Sequence, residues 1–282
     1  MAETKQAAEA AAVVAEPDQF AALLQKEFKP KTDRARAEVE RAVQTLAEQA
    51  LSETAVISDD VIGTIKAIIA EIDKKLTDQV NLILHSERFQ QLESAWRGLH
   101  HLVSNTETDE MLKIRVMNIS KKDLGKTLKK YAGAAWDQSP LFKKLYEEEY
   151  GQLGGEPYGC LVGDYYFDHT PGDVQLLSQM SQVAAAAHAP FIAGAGPTLM
   201  GMDSWQELAN PRDLAKIFGA PDYAAFRSLR ESDDAKYIGL AMPRFLARLP
   251  YGAKTSPVEE FEFEEETTGG NHSRYSWANA AY

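Results

Sequence analysis

Between Phe89 and Ser120 the apolar positions change period. Phe89, Leu92, Trp96, Leu99 and Val103 recur at helical spacing, and Leu112, Ile114 and Val116 then alternate with Lys113 and Arg115. The pattern predicts an amphipathic helix running into a half-buried strand. Trp96 carries about 200 Å² of aromatic surface, so the helix is expected to lie on a large apolar neighbour with Trp96 in the core. Nothing in this stretch has the look of a catalytic turn.

Upstream, Met1 to Glu16 is alanine and charge without a sustained period, which predicts a tail that packs on nothing. Pro17 and Asp18 open a short helix whose apolar stripe is Phe20, Leu23, Leu24 and Phe28, stopped at Lys29-Pro30-Lys31. A helix this short is marginal in water on propensity alone, so the stripe either docks on its own protein or serves a partner. Thr32 to Leu51 reads as a weakly apolar helical arm with Val39, Val43, Leu46 and Ala50 on one face. Ser58 caps the next helix in this reading, and Ile65, Ile68, Ile69, Ile72, Leu76 and Val80 form a β-branched, nearly heptad seam ending near Leu84. Such a seam suits either a helix pair from another subunit or a layer within the chain.

Downstream, Ser120 and Asp123 form a capping-box-like pair at the head of Lys121 to Tyr131, and Ser139-Pro140 starts a helix with Leu141, Phe142, Leu145 and Tyr146. Tyr158 to Phe167 is a nearly continuous apolar run, as in a strand buried on both faces. Pro171-Gly172-Asp173 leads into a helix with Val174, Leu177, Met180, Ala184 and Ala187 on one side, and Pro190 to Ala193 returns as a strand. Leu214, Ile217 and Phe218 mark a short helix, and Tyr237 to Met242 reads as another buried strand. The expected fold is α/β: a mixed sheet flanked by helices, preceded by an extended helical N-terminal arm. Domain boundaries are expected at residues 1–57 for the arm and 58–282 for the core. Residues 259 to 266 hold six glutamates and read as a charged edge strand or an acidic loop. Ser273 to Tyr282 opens a helical pattern without a stop signal, which suggests a truncated chain.

Composition narrows the function classes. The chain has 282 residues, 44% of them hydrophobic, and a net charge of -12, which disfavours nucleic acid and anionic lipid as partners. Five lysines between Lys121 and Tyr131 have no interleaved arginine or aromatic for base readout and read as a solvated helix face. Lone Cys160 excludes an intrachain disulfide and a Cys-based zinc site and fits a reducing, cytoplasmic setting. The N-terminus lacks the pattern of a secretory signal, and no apolar run approaches the ~18 residues that span a bilayer, so membrane insertion is not expected.

Candidate chemistry is sparse. Gly194-Ala195-Gly196 follows a strand, but Pro197 removes a backbone donor and no third glycine completes a fingerprint, so a crowded turn is expected. Asp164, Asp168, His169 and Asp173 straddle a strand end and a turn without a ligand spacing, and no metal or other cofactor is predicted. His100, His101 and His188 read as structural histidines on helices, and G-x-S-x-G is absent. No catalytic residue is assigned.

The strings FQQLESAWRGLHHLV (89–103), LKIRVMNISKKDL (112–124), GEPYGCLVGDYYFDH (155–169), APFIAGAGPTLM (189–200) and YIGLAMPRFLARLPYG (237–252) resemble the large subunit of the type VI secretion contractile sheath, the TssC/VipB family. The resemblance runs from about Ser58 to Tyr282. It implies a non-enzymatic bacterial cytoplasmic protein that pairs with a small sheath subunit, polymerises with further copies around an inner tube protein, and contracts to drive that tube outward. It further implies recycling by a AAA+ ATPase, for which Phe20, Leu23, Leu24 and Phe28 match in position and character. The small sheath subunit is expected on Ile65, Ile68, Ile72 and Leu76. Family members continue beyond Tyr282, so the C-terminal part of the family fold is expected to be absent here. Two rival readings are an α/β enzyme whose site lies in that missing part and a stand-alone helical adaptor using Ser58 to Leu84.

Overall fold

The computed structural model describes Arg34, Ala37 and Arg41, which are helical, and residues 61–282 apart from 211, with side chains in the long first helix from Ile69 onward. The N-terminal tail, the stripe at Phe20, Leu23, Leu24 and Phe28, and the Ser58 cap lie outside the described residues. The chain divides into two compact units, one containing residues 1–83 and 250–266, the other 84–249 and 267–282.

In the second unit the sheet has three parallel strands in the order β1-β2-β3: Leu161–Phe167, Phe191–Ala195 and Ile238–Ala241. The crossover from β1 to β2 is helix α5, Pro171–Ala186; Pro171 stands in its first turn, where a missing N–H costs nothing. Asp173 fixes that entry, its carboxylate accepting the Asp168 N–H at 2.9 Å and pairing with Lys121 at 2.6 Å. Leu177, Val183 and Ala184 of α5 are fully buried against Phe167, Phe191 and Ala193 of the strands.

Two further helical elements close this core. Helix α3, Lys121–Lys130, begins where the Ser120 hydroxyl accepts the Asp123 N–H at 3.1 Å, and it buries Leu124 and Leu128. At the next boundary Ser139, itself buried, accepts the Phe142 N–H at 3.1 Å. That cap starts three consecutive pieces, Pro140–Phe142, Lys143–Glu147 with π-type bonding, and Glu148–Tyr150, here called α4. Phe142, Tyr146 and Tyr150 stack along α4 with centroids about 5 Å apart. Short helices α6, Leu214–Gly219, and α7, Ala224–Arg230, complete the layer; the Asp213 carboxylate caps α6 and Phe226 is buried from α7.

Four expectations are corrected. Residues 112–120 run without a turn or bend but join no ladder among the described residues, so the Leu112–Val116 strand is not formed. The sheet segments are less buried than their apolar runs suggest: β1 alternates, with Val162 and Tyr166 partly exposed, and β3 is only half-buried. Ser273 to Tyr282 is not a helix; Trp277–Ala278 forms β5 against Phe245–Leu246, β4, as an antiparallel pair, which claims the backbone groups a helix would use. His188 follows α5 in a left-handed conformation, φ 50°, and is not on the helix.

In the first unit, helix α1, Val61–Leu84, is 24 residues and about 36 Å long. The glutamate-rich segment is a loop with no strand pairing, which decides between the two expectations for it. Asn81, buried on α1, donates to the Glu264 carbonyl at 3.1 Å and accepts the Glu266 N–H at 2.9 Å, as a neighbouring strand would. One turn earlier the Thr77 hydroxyl donates to the Glu262 carbonyl at 3.4 Å. The loop also holds itself: Glu265 N–H donates to the Tyr251 carbonyl, and the Glu265 carboxylate accepts the Tyr251 N–H, both at 2.9 Å. Asn81→Leu strands two backbone groups at once and is expected to cost about 2–4 kcal/mol. Hydrogen exchange at Glu264 to Glu266 measures the effect; unchanged protection there would contradict the clamp.

Candidate interaction surfaces

Helix α2, Glu87–Ser104, has the extent its apolar period predicts, yet it packs through a different face. Gln90 donates to the Ser273 carbonyl at 2.7 Å, Ser94 lies 3.4 Å from Ser276, and Gly98 lies under the Tyr282 ring. A Cβ on Gly98 would stand 2.4 Å from that ring, so the absence of a side chain is what admits the aromatic. Positions 90, 94 and 98 form one i, i+4 row, and that polar and small row faces the C-terminal residues. Beside it, Glu93 bonds Arg248 at 2.6 Å and Arg97 at 2.8 Å; the Glu93 and Arg248 side chains are each 8% exposed.

The predicted stripe is therefore only partly covered, with Phe89 and Leu99 half-buried. Trp96 is 66% exposed, and Leu92 and Val103 are exposed with it. Placing Trp96 in the core is corrected: the period identified the apolar face, while the neighbour able to cover it is not among the described residues. On α1, Ile72 and Leu76 are half-buried and Ile69, Leu82 and Ile83 are exposed. Ile65 and Ile68 lie on the same helix, with their side chains outside the description.

The polar candidates resolve into structural roles. Burial works against the Asp168 carboxylate, but the Thr170 hydroxyl and N–H hold it below the usual range. Asp164, four residues earlier and within β1, is pushed up by burial against hydrogen bonds from Tyr282 and Asn279. Burial and the Asp164 charge push Tyr166 up to about 12. The Arg244 guanidinium is held down by burial and sits 4.6 Å over the Trp277 ring. Among the described residues no group of three or more His, Cys, Asp or Glu is placed to hold a metal ion. The Gly194–Gly196 turn is crowded as expected: the Gly196 N–H is spent on the Phe167 carbonyl at 2.7 Å, and a Cβ on Gly194 would meet the Asn279 side chain.

Other polar groups are similarly occupied. His100 bonds Ser104 and His101 bonds Asn105, both within α2 and its cap, while His169 stacks on Tyr223 with centroids 4.1 Å apart. Partial burial pushes the Cys160 thiol up, away from a reactive thiolate. The lysine face of α3 borders an open groove against the start of α5, where Lys121 is bound to Asp173 and to the Tyr166 carbonyl. Two important polar devices escaped the sequence reading. Glu93–Arg248 spans 155 residues and Asn81–Glu264 spans 183; neither has a local signature.

No described helix is long and apolar enough to cross a membrane. The surfaces left open are apolar helix faces. Residues 66–282 match the VipB family model, described as EvpB/VC_A0108, tail sheath N-terminal domain. A curated relative from Pseudomonas aeruginosa, the type VI secretion system sheath protein TssC1, is 68% identical over 279 residues, 99% of this chain. The chain spans 56% of that relative's length.

Proposed function

The chain belongs to the VipB family of tail-sheath proteins, and from that premise we propose that it is a structural subunit of the contractile sheath of a type VI secretion system. The 68% identity to TssC1 over nearly the whole chain carries this reading. In it the protein co-assembles with a small sheath subunit and with further copies of itself around an inner tube, in the bacterial cytoplasm, and performs no catalysis. The energy for contraction then resides in alternative packings of rigid subunits, which requires no nucleotide on this chain. Exposed apolar residues on α1 and α2 support an assembling role, since an isolated soluble protein seldom leaves several large apolar side chains open on neighbouring turns. The enzyme and adaptor readings have no observation in their favour.

The finer assignments are part of the same proposal. Residues 1–57 form an arm and 58–282 the sheath core. Ile65, Ile68, Ile72 and Leu76 meet the small subunit, and Phe20, Leu23, Leu24 and Phe28 are gripped by a AAA+ recycling ATPase. Four large apolar side chains supply about 1.5–3 kcal/mol each when fully buried, offset by about 1–2 kcal/mol per ordered residue, which gives weak capture strengthened by avidity on a lattice. The experiment is co-expression of a chain of the relative's full length with the small subunit, viewed by electron microscopy. Tubes are expected for the unaltered pair, loss of copurification with an intact helical spectrum for Ile68→Asp, and normal tubes that disassemble slowly for Leu23→Asp with Leu24→Asp. Absence of tubes from the unaltered pair would overturn the sheath reading. Global unfolding of Ile68→Asp would place that seam inside the chain.

A further inference from the structure

Two exposed rows of opposite charge are each fixed in place by the fold. On α3, burial of Leu124 and Leu128 turns Lys122, Lys126 and Lys129, an i, i+4, i+7 face, to the outside. These lysines follow one another at about 6 and 4.5 Å along the helix axis. Lys126 pairs with the exposed Asp123 at 3.7 Å, and Lys122 and Lys129 form no ion pair among the described residues, whereas Lys121 is spent on Asp173 and the Tyr166 carbonyl. The groove beside this face is walled by Gln175 and Gln179 of α5, and the paired Asp173 is the carboxylate that lines it. The glutamate-rich loop is the converse. Residues 262–266 run without a turn or bend and alternate in burial: Phe263 and Glu265 are buried, Glu262, Glu264 and Glu266 are exposed, and Glu260 is exposed just before them. Side chains two residues apart in an extended chain recur every ~6–7 Å, close to the spacing of the lysines. Bonds to Asn81 and Thr77, and the reciprocal pair of Glu265 with Tyr251, hold the backbone of this row.

We propose that the lysine face of α3 docks the 260–266 glutamate row of a second copy of this chain. The proposal rests on the sheath reading, in which copies pack on one another, and names the surfaces that meet. Three arguments favour that occupant. The rows match in sign and in pitch, and both are held by the fold before they meet, so little backbone ordering is lost on docking. Each copy carries a net charge of -12 and repels its like; a face with five lysines in ten residues is where that repulsion reverses. The two rows are also different patches of one chain, so each copy offers a face to one neighbour and a loop to another. Such a head-to-tail contact propagates a helical lattice, where a self-complementary patch would close a dimer.

The test is charge reversal and its rescue in a chain of the relative's full length, co-expressed with the small sheath subunit. Lys122→Glu with Lys126→Glu, and separately Glu260→Lys with Glu262→Lys, are each expected to lower the yield of sedimentable tubes about tenfold, because like charges then face each other across the contact. All four substitutions together are expected to restore the yield. Copurification of the small subunit and an unaltered helical spectrum check that each variant is folded. Tubes at the original yield from either reversed pair, or no recovery in the fourfold variant, would overturn the proposal while leaving the sheath reading in place. Carbodiimide treatment of unaltered tubes gives a second readout that needs no substitution, since it joins a lysine to a carboxylate it already touches. Covalent dimers of this chain are expected, with Lys122, Lys126 or Lys129 linked to the 260–266 peptide. Links confined to a single chain, links of these lysines to the small subunit, or no links at all are the contrary results. Failure of the unaltered pair to form tubes would overturn the sheath reading and this contact with it.

Discussion

Phe167→Ala is expected to destabilise the second unit by about 3–5 kcal/mol, the range for emptying a fully enclosed aromatic site. Phe167 has no exposed surface, lies edge-on to Tyr165 and Phe191 with centroids 6.4 and 6.2 Å away, and is capped by the Lys121 ammonium 4.4 Å above its ring. Lys121 also ties the Asp173 carboxylate and the Tyr166 carbonyl, so its chain is held in place and cannot fold into the void. The surrounding strands are equally fixed, because the Phe167 carbonyl accepts the Gly196 N–H. Urea melts compare the midpoints. A change below about 1 kcal/mol, the scale of an ordinary surface substitution, would show that the sheet is not the cooperative centre of this unit.

Arg248→Ala is expected to cost about 3 kcal/mol, because it leaves the Glu93 carboxylate enclosed with only the more exposed Arg97 as partner. Replacing both members, Glu93→Leu with Arg248→Met, should come much closer to neutral. Burial pushes the Glu93 carboxyl up, but hydrogen bonds from Arg248 and Arg97 more than offset this and hold it below the usual range. A depressed folded value means that the ionised pair adds stability above the unfolded pKa, roughly 4.3, and that this contribution fades as pH falls through the folded value. Acid titration should therefore find Glu93→Gln less sensitive than the unaltered chain below about pH 4. Parallel acid curves for the two would contradict this role for the pair.

Local signals in the chain were readable where the physics is local. Ser120 and Ser139 cap the helices that their spacing announces, Pro171 stands at the start of α5, and the β1-α5-β2 unit follows its switch of hydrophobic period. Error entered where a pattern needed a neighbour to complete it. An amphipathic stripe states which face is apolar and is silent about what lies on it, so Trp96 was assigned to a core that the described residues do not build. Alternation at Leu112–Val116 likewise describes a strand-like surface, while a strand also requires a backbone partner. At Trp277–Ala278 the helical period lost to two residues of pairing with β4, too short a ladder for periodicity to register. Of the candidate surfaces, the α1 seam was legible as a helix and its partner was not, since the same β-branched spacing serves cis and trans packing.

The single cysteine has a practical consequence. Cys160 is exposed immediately ahead of β1, and these 282 residues contain no other thiol. A maleimide dye would therefore mark each copy of this region once without mutagenesis. The raised thiol pKa slows that labelling at neutral pH and favours mildly alkaline conditions. Energy transfer between dyes on adjacent copies would then read subunit spacing directly, following a change in lattice geometry as a change in fluorescence.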